Sequence, residues 1–560
     1  MVIQLKEAAP EPIDYQEGEG QSTPQSADSL LPGASTNRNG NNDYDMFAQE
    51  PTTKSEIFGW CLYSWAAEPF IVSAVSTYVP LLLEQFAREN GVLLNDHTQP
   101  CVLPSNPMPP ILPPPPSSSN GTDSISAADA ASAGTTTTTT TTVATQCVVY
   151  VLGRYIDTSS FALYTFSLSV LVQTLVVISM SGAADKGHYR KQLLVMFGVV
   201  GSIATMCYVL ITTKRYYISS LLAIIANSCF GAVNVCGNSF LPILVANYPT
   251  ARTELTRSNL ITRISGIGAA SGYISALICQ IISMVIILKT GSTTKSIQFA
   301  IFFIGLWWFV FQLPIIALLK SRQSSALTLK EDEGFVVWQY VKYGWKTLFV
   351  SLKHASMLKD VIIYLVGWFI VSDSVTTINS AAVLFAKTEL QMSTANLVVV
   401  GILTVLFAIF GSLAIPTLQK KFKIQPKVSL ILIILWASMI PFYGILGFFF
   451  KVVGLKHQSE MYLLAVWYGI SMGGLTTLSR SLFSLLIPRG KESVFFSLFS
   501  ITDKGSSIVG PIITGLIVDK THNIRYTFYF LFALLVLAIP VYLLLDVERG
   551  EREAKELEVD

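Results

Sequence analysis

The sequence predicts an all-α polytopic membrane protein with about twelve transmembrane helices in two six-helix halves. Three observations carry this. Only 13% of the 560 residues are charged and 51% are apolar, whereas a soluble globular chain carries roughly 25% charged residues. The mean hydropathy is +0.52. Apolar stretches near the roughly 20 residues that cross a bilayer as helix recur along the chain, with one longer spacer after the sixth. The net charge of +2 gives no case for nucleic acid as a partner. A lipid bilayer is the partner that this composition demands.

Residues 1–53 hold Pro, Ser, Asn, Gln and acidic residues with few large apolar groups. They cannot bury enough surface to fold alone and are predicted to be a disordered cytosolic tail. No basic segment followed by a short apolar one appears there, so the first span is expected to serve as both insertion signal and membrane helix. The spans fall at about 58–83, 159–182, 192–212, 217–245, 260–288, 297–319, 360–386, 395–416, 428–450, 461–487, 495–518 and 524–545. This gives an N-terminal membrane half over 58–319, a central loop at 320–359, a C-terminal half over 360–545 and a tail at 546–560. Two halves of six with a longer middle loop is a layout that alternating-access carriers use.

Orientation follows from the basic residues of the short loops. One side carries Lys186, Arg190, Lys191, Arg252, Arg257, Lys420, Lys421, Lys423, Lys427, Arg489 and Lys491, with several more in 320–359. The other carries Lys214, Arg215, Lys289, Lys295, Lys387, Lys451, Lys456, Lys520 and Arg525. The richer side, with both termini, is expected to face the cytosol. The long loop 84–158 then lies on the lumenal side. Its Pro113–Pro116 run, Ser run and Thr135–Thr142 run predict a disordered segment open to O-glycosylation. Asn120, Gly121 and Thr122 form an N-glycosylation sequon there. Cys101 and Cys147 flank the low-complexity run, and an oxidising compartment would permit a bridge between them. Two free thiols is the other reading. The remaining five cysteines lie in apolar spans, as packing residues do.

Charged groups at mid-bilayer cost at least roughly 2.5–3.5 kcal/mol, so they face a cavity or a partner. Glu68 in span 1, Asp373 in span 7, Arg480 in span 10, and Asp503 with Lys504 in span 11 meet this description. In span 4, Asn227, Asn234 and Asn238 share one helical face, and in span 7 Asp373, Thr376, Thr377 and Ser380 form a polar stripe. A carboxylate could meet an ammonium group in such a site, and Arg or Asn a carboxylate. The same side chains could equally be interhelical hydrogen-bond glue. Asp503 and Lys504, as sequence neighbours, are expected to diverge around their helix. Near the cytosolic end they read as a gate or a clasp between halves. Pro69 should kink span 1 and leave the Trp65 carbonyl without its helical partner. Gly266, Gly268 and Gly272 in span 5, and Gly473 and Gly474 in span 10, permit close helix contact or bending.

Enzyme signatures do not hold up. Gly469, Ser471 and Gly473 match G-x-S-x-G, but that chemistry needs a strand-to-helix turn and a nearby His, and the pentapeptide lies inside an apolar span. All five histidines lie in predicted loops or at span ends without metal-pair spacing. No Walker loop is present, so transport would be secondary or facilitated. No cofactor is expected.

Asp185, Lys186 and Gly187 followed by Arg190 and Lys191 resemble the signature loop between helices 2 and 3 of the major facilitator superfamily. Here Gly182 stands three residues before Asp185, where that pattern has four. Gly510, Pro511, Gly515 and Asp519 resemble a span 11 pattern of the same superfamily. Longer stretches resemble the vacuolar effluxer family of autophagy-related protein 22: Trp60 to Pro80 (WCLYSWAAEPFIVSAVSTYVP), Asp157 to Leu163 (DTSSFAL), Ser372 to Ser374, Pro441 to Phe450 (PFYGILGFFF) and Phe499 to Ser507 (FSITDKGSS). The likeness runs over roughly 57–549 and leaves out the insert at 104–146. It implies release of amino acids, leucine among them, from a fungal vacuole after autophagic breakdown, with protons a candidate coupling ion. It also implies that helices 1, 4, 7 and 10 line a central cavity. Glu68, Asn234, Asp373 and Arg480 become the substrate-binding or coupling candidates, and Asp185, Asp503 and Lys504 the gate or clasp candidates. A non-transporting membrane factor, docking through the first 53 residues, is the rival reading.

Overall fold

The computed structural model describes residues 50–93, 97–101, 147–151, 153–186, 189–249, 254–291, 293–322, 336–353, 359–392, 394–506, 509–521 and 523–559. The candidate glycosylation site Asn120 lies outside them. The first membrane crossing is built from α1 (Lys54–Pro69), a π-helical segment (Phe70–Tyr78) and α2 (Val79–Glu89). Pro69 has no N–H to give, and the widened turn begins at the next residue. The Trp65 carbonyl does find a partner, the Trp307 indole N–H at 3.1 Å.

The chain then forms β1 (Val92–Leu93), β2 (Cys147–Val151) and β3 (Arg154–Asp157), followed by α3 (Thr158–Lys186), α4 (Arg190–Met206), α5 (Tyr216–Ala246), α6 (Glu254–Lys289), α7 (Thr294–Gln312) and α8 (Pro314–Leu318). After α9 (Val336–Lys353) the second half follows as α10 (Lys359–Thr388), α11 (Thr394–Phe422), α12 (Pro426–Phe449), α13 (Gln458–Leu486), α14 (Glu492–Ser506), α15 (Val509–Thr521), α16 (Thr527–Leu543) and α17 (Val547–Val559). Eleven helical stretches among the described residues are each long and apolar enough to cross a membrane. The other crossing is shared between α14 and α15, on either side of residues 507–508. We call the face bearing the strands the sheet face, and the one bearing the start of α1 and α17 the tail face.

Three expected loops contain structure. The strands form an antiparallel sheet in the order β1-β2-β3, pairing Val92 with Val148 and Val149 with Ile156. Cys101 and Cys147 are disulfide-bonded beside it, with Cα atoms 5.9 Å apart. In the central loop, α9 packs along α3. In the C-terminal tail, α17 is held by the Arg549 guanidinium, which donates to both oxygens of Asp360 at 2.6 and 2.8 Å. At the other end of the chain, Arg322 forms a buried bidentate pair with Glu56, at 2.7 and 2.5 Å.

Contacts between the halves reveal a symmetry that the sequence left to spacing alone. The second crossing, α3, meets the eleventh at α14, and the fifth, α6, meets the eighth, α11. A pseudo-twofold exchange of the halves turns one pair into the other. Glycine allows the tighter of these seams. Between the halves, a Cβ built on Gly266 would lie 2.4 Å from the Ser412 carbonyl oxygen, and within the C-terminal half one on Gly473 would lie 2.0 Å from that of Ala408. Both obstacles are backbone and cannot swing away. Gly473→Ala is therefore expected to force α11 and α13 apart at a cost of about 1–3 kcal/mol. A melting temperature in detergent unchanged from the parent would count against this packing.

Candidate functional site

A cavity of about 380 Å³ lies between the halves, within the size range of small-molecule sites. Four crossings reach it through their polar faces: α1 with its π segment, α5, α10 and α13, joined by α14. Its walls carry two cations, Arg480 and Lys504, and two carboxylates, Glu68 and Asp503. Phe230, Trp368, Val375, Met472 and Phe499 supply apolar wall.

Arg480 is the organising residue. Only 8% exposed, it donates to the Tyr63 hydroxyl at 3.2 Å, Asn238 Oδ1 at 3.4 Å and the Ser265 carbonyl at 3.2 Å. Tyr63 in turn donates to Asn238 Oδ1 at 2.7 Å, and the Asn238 amide donates to Asn234 Oδ1 at 2.6 Å. Two of the three α5 amides expected on one face, Asn234 and Asn238, thus reach the guanidinium as a chain, whereas Asn227 donates to the Ser169 hydroxyl of α3 at 3.0 Å. Among the described residues, no carboxylate lies within ion-pair distance of Arg480. Glu68 lines the same cavity, within electrostatic reach of Arg480 and Lys504, and accepts no hydrogen bond among the described residues. A buried charge without a counter-charge is costly. A cation and a carboxylate in one cavity, neither in a close ion pair among the described residues, suit a ligand bearing both charges.

The other candidates are placed differently. Asp373 does not line the cavity, although its neighbour Ser372 does. It is buried beside the cavity-lining stripe of α10, where it accepts the Gly510 N–H at 2.8 Å and so ties α10 to the start of α15. One residue turns a helix by about 100°, which separates Asp373 from the cavity-lining Ser372 and from Glu68, with which the sequence groups it as a candidate. Asp503 and Lys504 do not diverge: their side chains approach to 3.4 Å. Asp503 also accepts from the Trp368 indole at 3.1 Å and the Ser372 hydroxyl at 2.9 Å. These two partners lie in the same half, and Asp503 and Lys504 both line the cavity.

Asp185 does bridge the halves. It pairs with Arg190 at 2.7 Å and accepts the backbone N–H groups of Ser493 at 2.9 Å and Val494 at 3.0 Å. Those amides open α14, so a side chain from one half caps a helix of the other. Arg190 extends the link to Glu492 at 2.9 Å. All three charged groups are buried and close the tail face beneath the cavity. Ser493, Glu492, Tyr63, Trp368 and Ser372 were not among the site residues that the sequence singled out. Tyr and Trp in apolar spans carry no charge to flag them, and Glu492 fell in a presumed loop.

Ser471 donates to its own helix at the Trp467 carbonyl, 2.9 Å away, and Gly469 and Gly473 pack against α11. That motif is a packing seam.

This fold is that of the major facilitator superfamily. The proton:xylose symporter XylE of that superfamily superposes with a TM-score of 0.56 at 12% identity, covering 87% of this chain and 95% of that one. A bacterial homologue of the iron transporter ferroportin, in its outward-facing state, gives 0.53 at 12% identity, covering 87% and 98%. Within that class, the family model described as "Vacuole effluxer Atg22 like" matches residues 52–555, and the chain belongs to this family. Autophagy-related protein 22 of Pichia angusta is 53% identical over 544 residues, covering 90% of this chain and 94% of its own length. The Saccharomyces cerevisiae protein of that name is 48% identical over 530 residues, with the same coverage.

Proposed function

We propose that the chain carries amino acids such as leucine from the vacuole lumen to the cytosol by alternating access, with its tail face and both termini in the cytosol. The observation that carries this is the pair of charged groups in the cavity without an ion pair among the described residues, Glu68 on α1 and Arg480 on α13. A zwitterion supplies both missing charges: its α-carboxylate goes to Arg480 and the amide chain of Asn238 and Asn234, its α-ammonium to Glu68. The apolar wall then faces the side chain. Glu68 is also the group that would carry a coupling proton from an acidic lumen. The excess of Lys and Arg on the tail side supports the orientation, and the family's description supports the vacuolar membrane.

The decisive experiment is efflux of radiolabelled leucine from proteoliposomes of the purified chain, with and without an imposed pH gradient. Efflux above empty vesicles supports the carrier, and gradient dependence supports proton coupling. No efflux of any amino acid from folded, correctly oriented protein would favour a membrane factor that does not transport. The two intramembrane acids should separate in the same assay. Glu68→Gln is expected to abolish most efflux. Asp373→Asn keeps an oxygen for the Gly510 amide and should stay within about twofold of the parent, the ordinary scale for a retained neutral hydrogen bond. Equal loss in both variants would reject this division of roles.

A further inference from the structure

Helix α9 contains three lysines and no acidic residue in its 18 positions. Its inner face is fixed by an unusually close crossing: Gly344 lies against Gly182 of α3, where a Cβ on Gly182 would come within 2.7 Å of the Gly344 nitrogen. The Trp345 indole N–H donates to the Ser179 hydroxyl at 3.1 Å. The depth of α9 follows from these partners. Ser179 and Gly182 belong to the apolar stretch Tyr164–Asp185 of α3, so α9 lies beside the last turns of a membrane crossing.

The outer face of α9 is then set against the bilayer boundary. Trp338, Lys342, Lys346 and Phe349 follow at spacings of four, four and three, which stacks them in one stripe. All four are exposed, Trp338 by 66% and Phe349 by 61%. Neither Lys342 nor Lys346 makes a hydrogen bond or ion pair among the described residues. Aromatic rings at the two ends with lysines between them suit a helix lying in the interface, its rings among acyl chains and its ammonium groups at phosphates.

We propose that the outer stripe of α9 is a binding site for anionic phospholipid head groups of the tail-face leaflet. The lysines give the charge complementarity, and the flanking rings select a membrane lipid over a soluble anion.

The test uses the full-length chain purified in mild detergent and incubated with phosphatidylserine or phosphatidylcholine, with retained lipid measured by native mass spectrometry. Phosphatidylserine should be retained in preference. Lys342→Gln with Lys346→Gln should weaken its retention about thirtyfold, the scale for two lysines at a charged surface. Phosphatidylcholine retention should not move, and the double Lys→Arg variant should bind like the parent. Equal retention of both lipids by the parent, or unchanged phosphatidylserine retention in the double Gln variant, would overturn the site. Both substitutions are on an exposed face and leave packing intact. Retention is read without any transport assay, so the result stands apart from the carrier reading.

Discussion

Replacement of Arg480 by glutamine is expected to cut leucine efflux by at least about thirtyfold, because truncating a buried hydrogen-bonded charge costs about 2–5 kcal/mol. The reason is the chemistry of the site: Arg480 is the one cation in the cavity with no carboxylate within ion-pair distance among the described residues. Lys504 is already beside Asp503. Glutamine can still donate to the Tyr63 hydroxyl or the Ser265 carbonyl, so the network linking α13 to α1 and α6 is thinned but not emptied. Arg480→Lys keeps the charge and loses the planar fork, so it should fall between the two. The check is initial efflux rate in proteoliposomes, with elution profile and melting temperature establishing that the variants are folded. A folded Arg480→Gln protein with parental efflux would remove Arg480 from the substrate site.

Asp185→Ala should open the tail face. It removes an ion pair to Arg190 and the acceptor for two amides that begin α14. Breaking a buried pair by deleting one partner costs about 3–5 kcal/mol, enough to move a two-state equilibrium by more than about a hundredfold. The reporter can be Ser481→Cys in a background without the native cysteines. Ser481 is fully buried and bonded to Thr262 across the halves, 2.5 Å away. A water-soluble maleimide should label it slowly in the parent and rapidly with Asp185→Ala. Equal labelling would mean that the charged cluster does not hold the halves together.

How much of this was legible in the sequence depended on whether the signal was a property of a segment or of a face. Crossings are segment properties, and the apolar stretches gave them. Glu68, Asn234 and Arg480 reach the cavity as expected from charge or amide in an apolar span. Asp373 has the same signal, yet its face is decided by where α10 packs, which no single span encodes. Asp503 and Lys504 were read from sequence adjacency, but flexible side chains let neighbours meet at 3.4 Å. The clasp at Asp185 was visible through its resemblance to a signature loop, while its partners on α14 were not, since pairing across 308 positions leaves no local trace. Helix α9 did have a signal, the stripe from Trp338 to Phe349, masked by its place in a polar loop. The sheet had almost none, because β1 is two residues long.

The short sheet and its disulfide change what the insert at 102–146 can mean to the rest of the molecule. Cys101 and Cys147 are 46 positions apart in sequence and 5.9 Å apart in space, so that stretch leaves and re-enters through one stem. Doubling a loop's length costs only about 0.6 kcal/mol in closure entropy, and here the stem fixes both ends whatever hangs from it. A reporter domain or affinity tag spliced between these two cysteines would enter and leave beside the sheet, and its length alone would cost the described fold little.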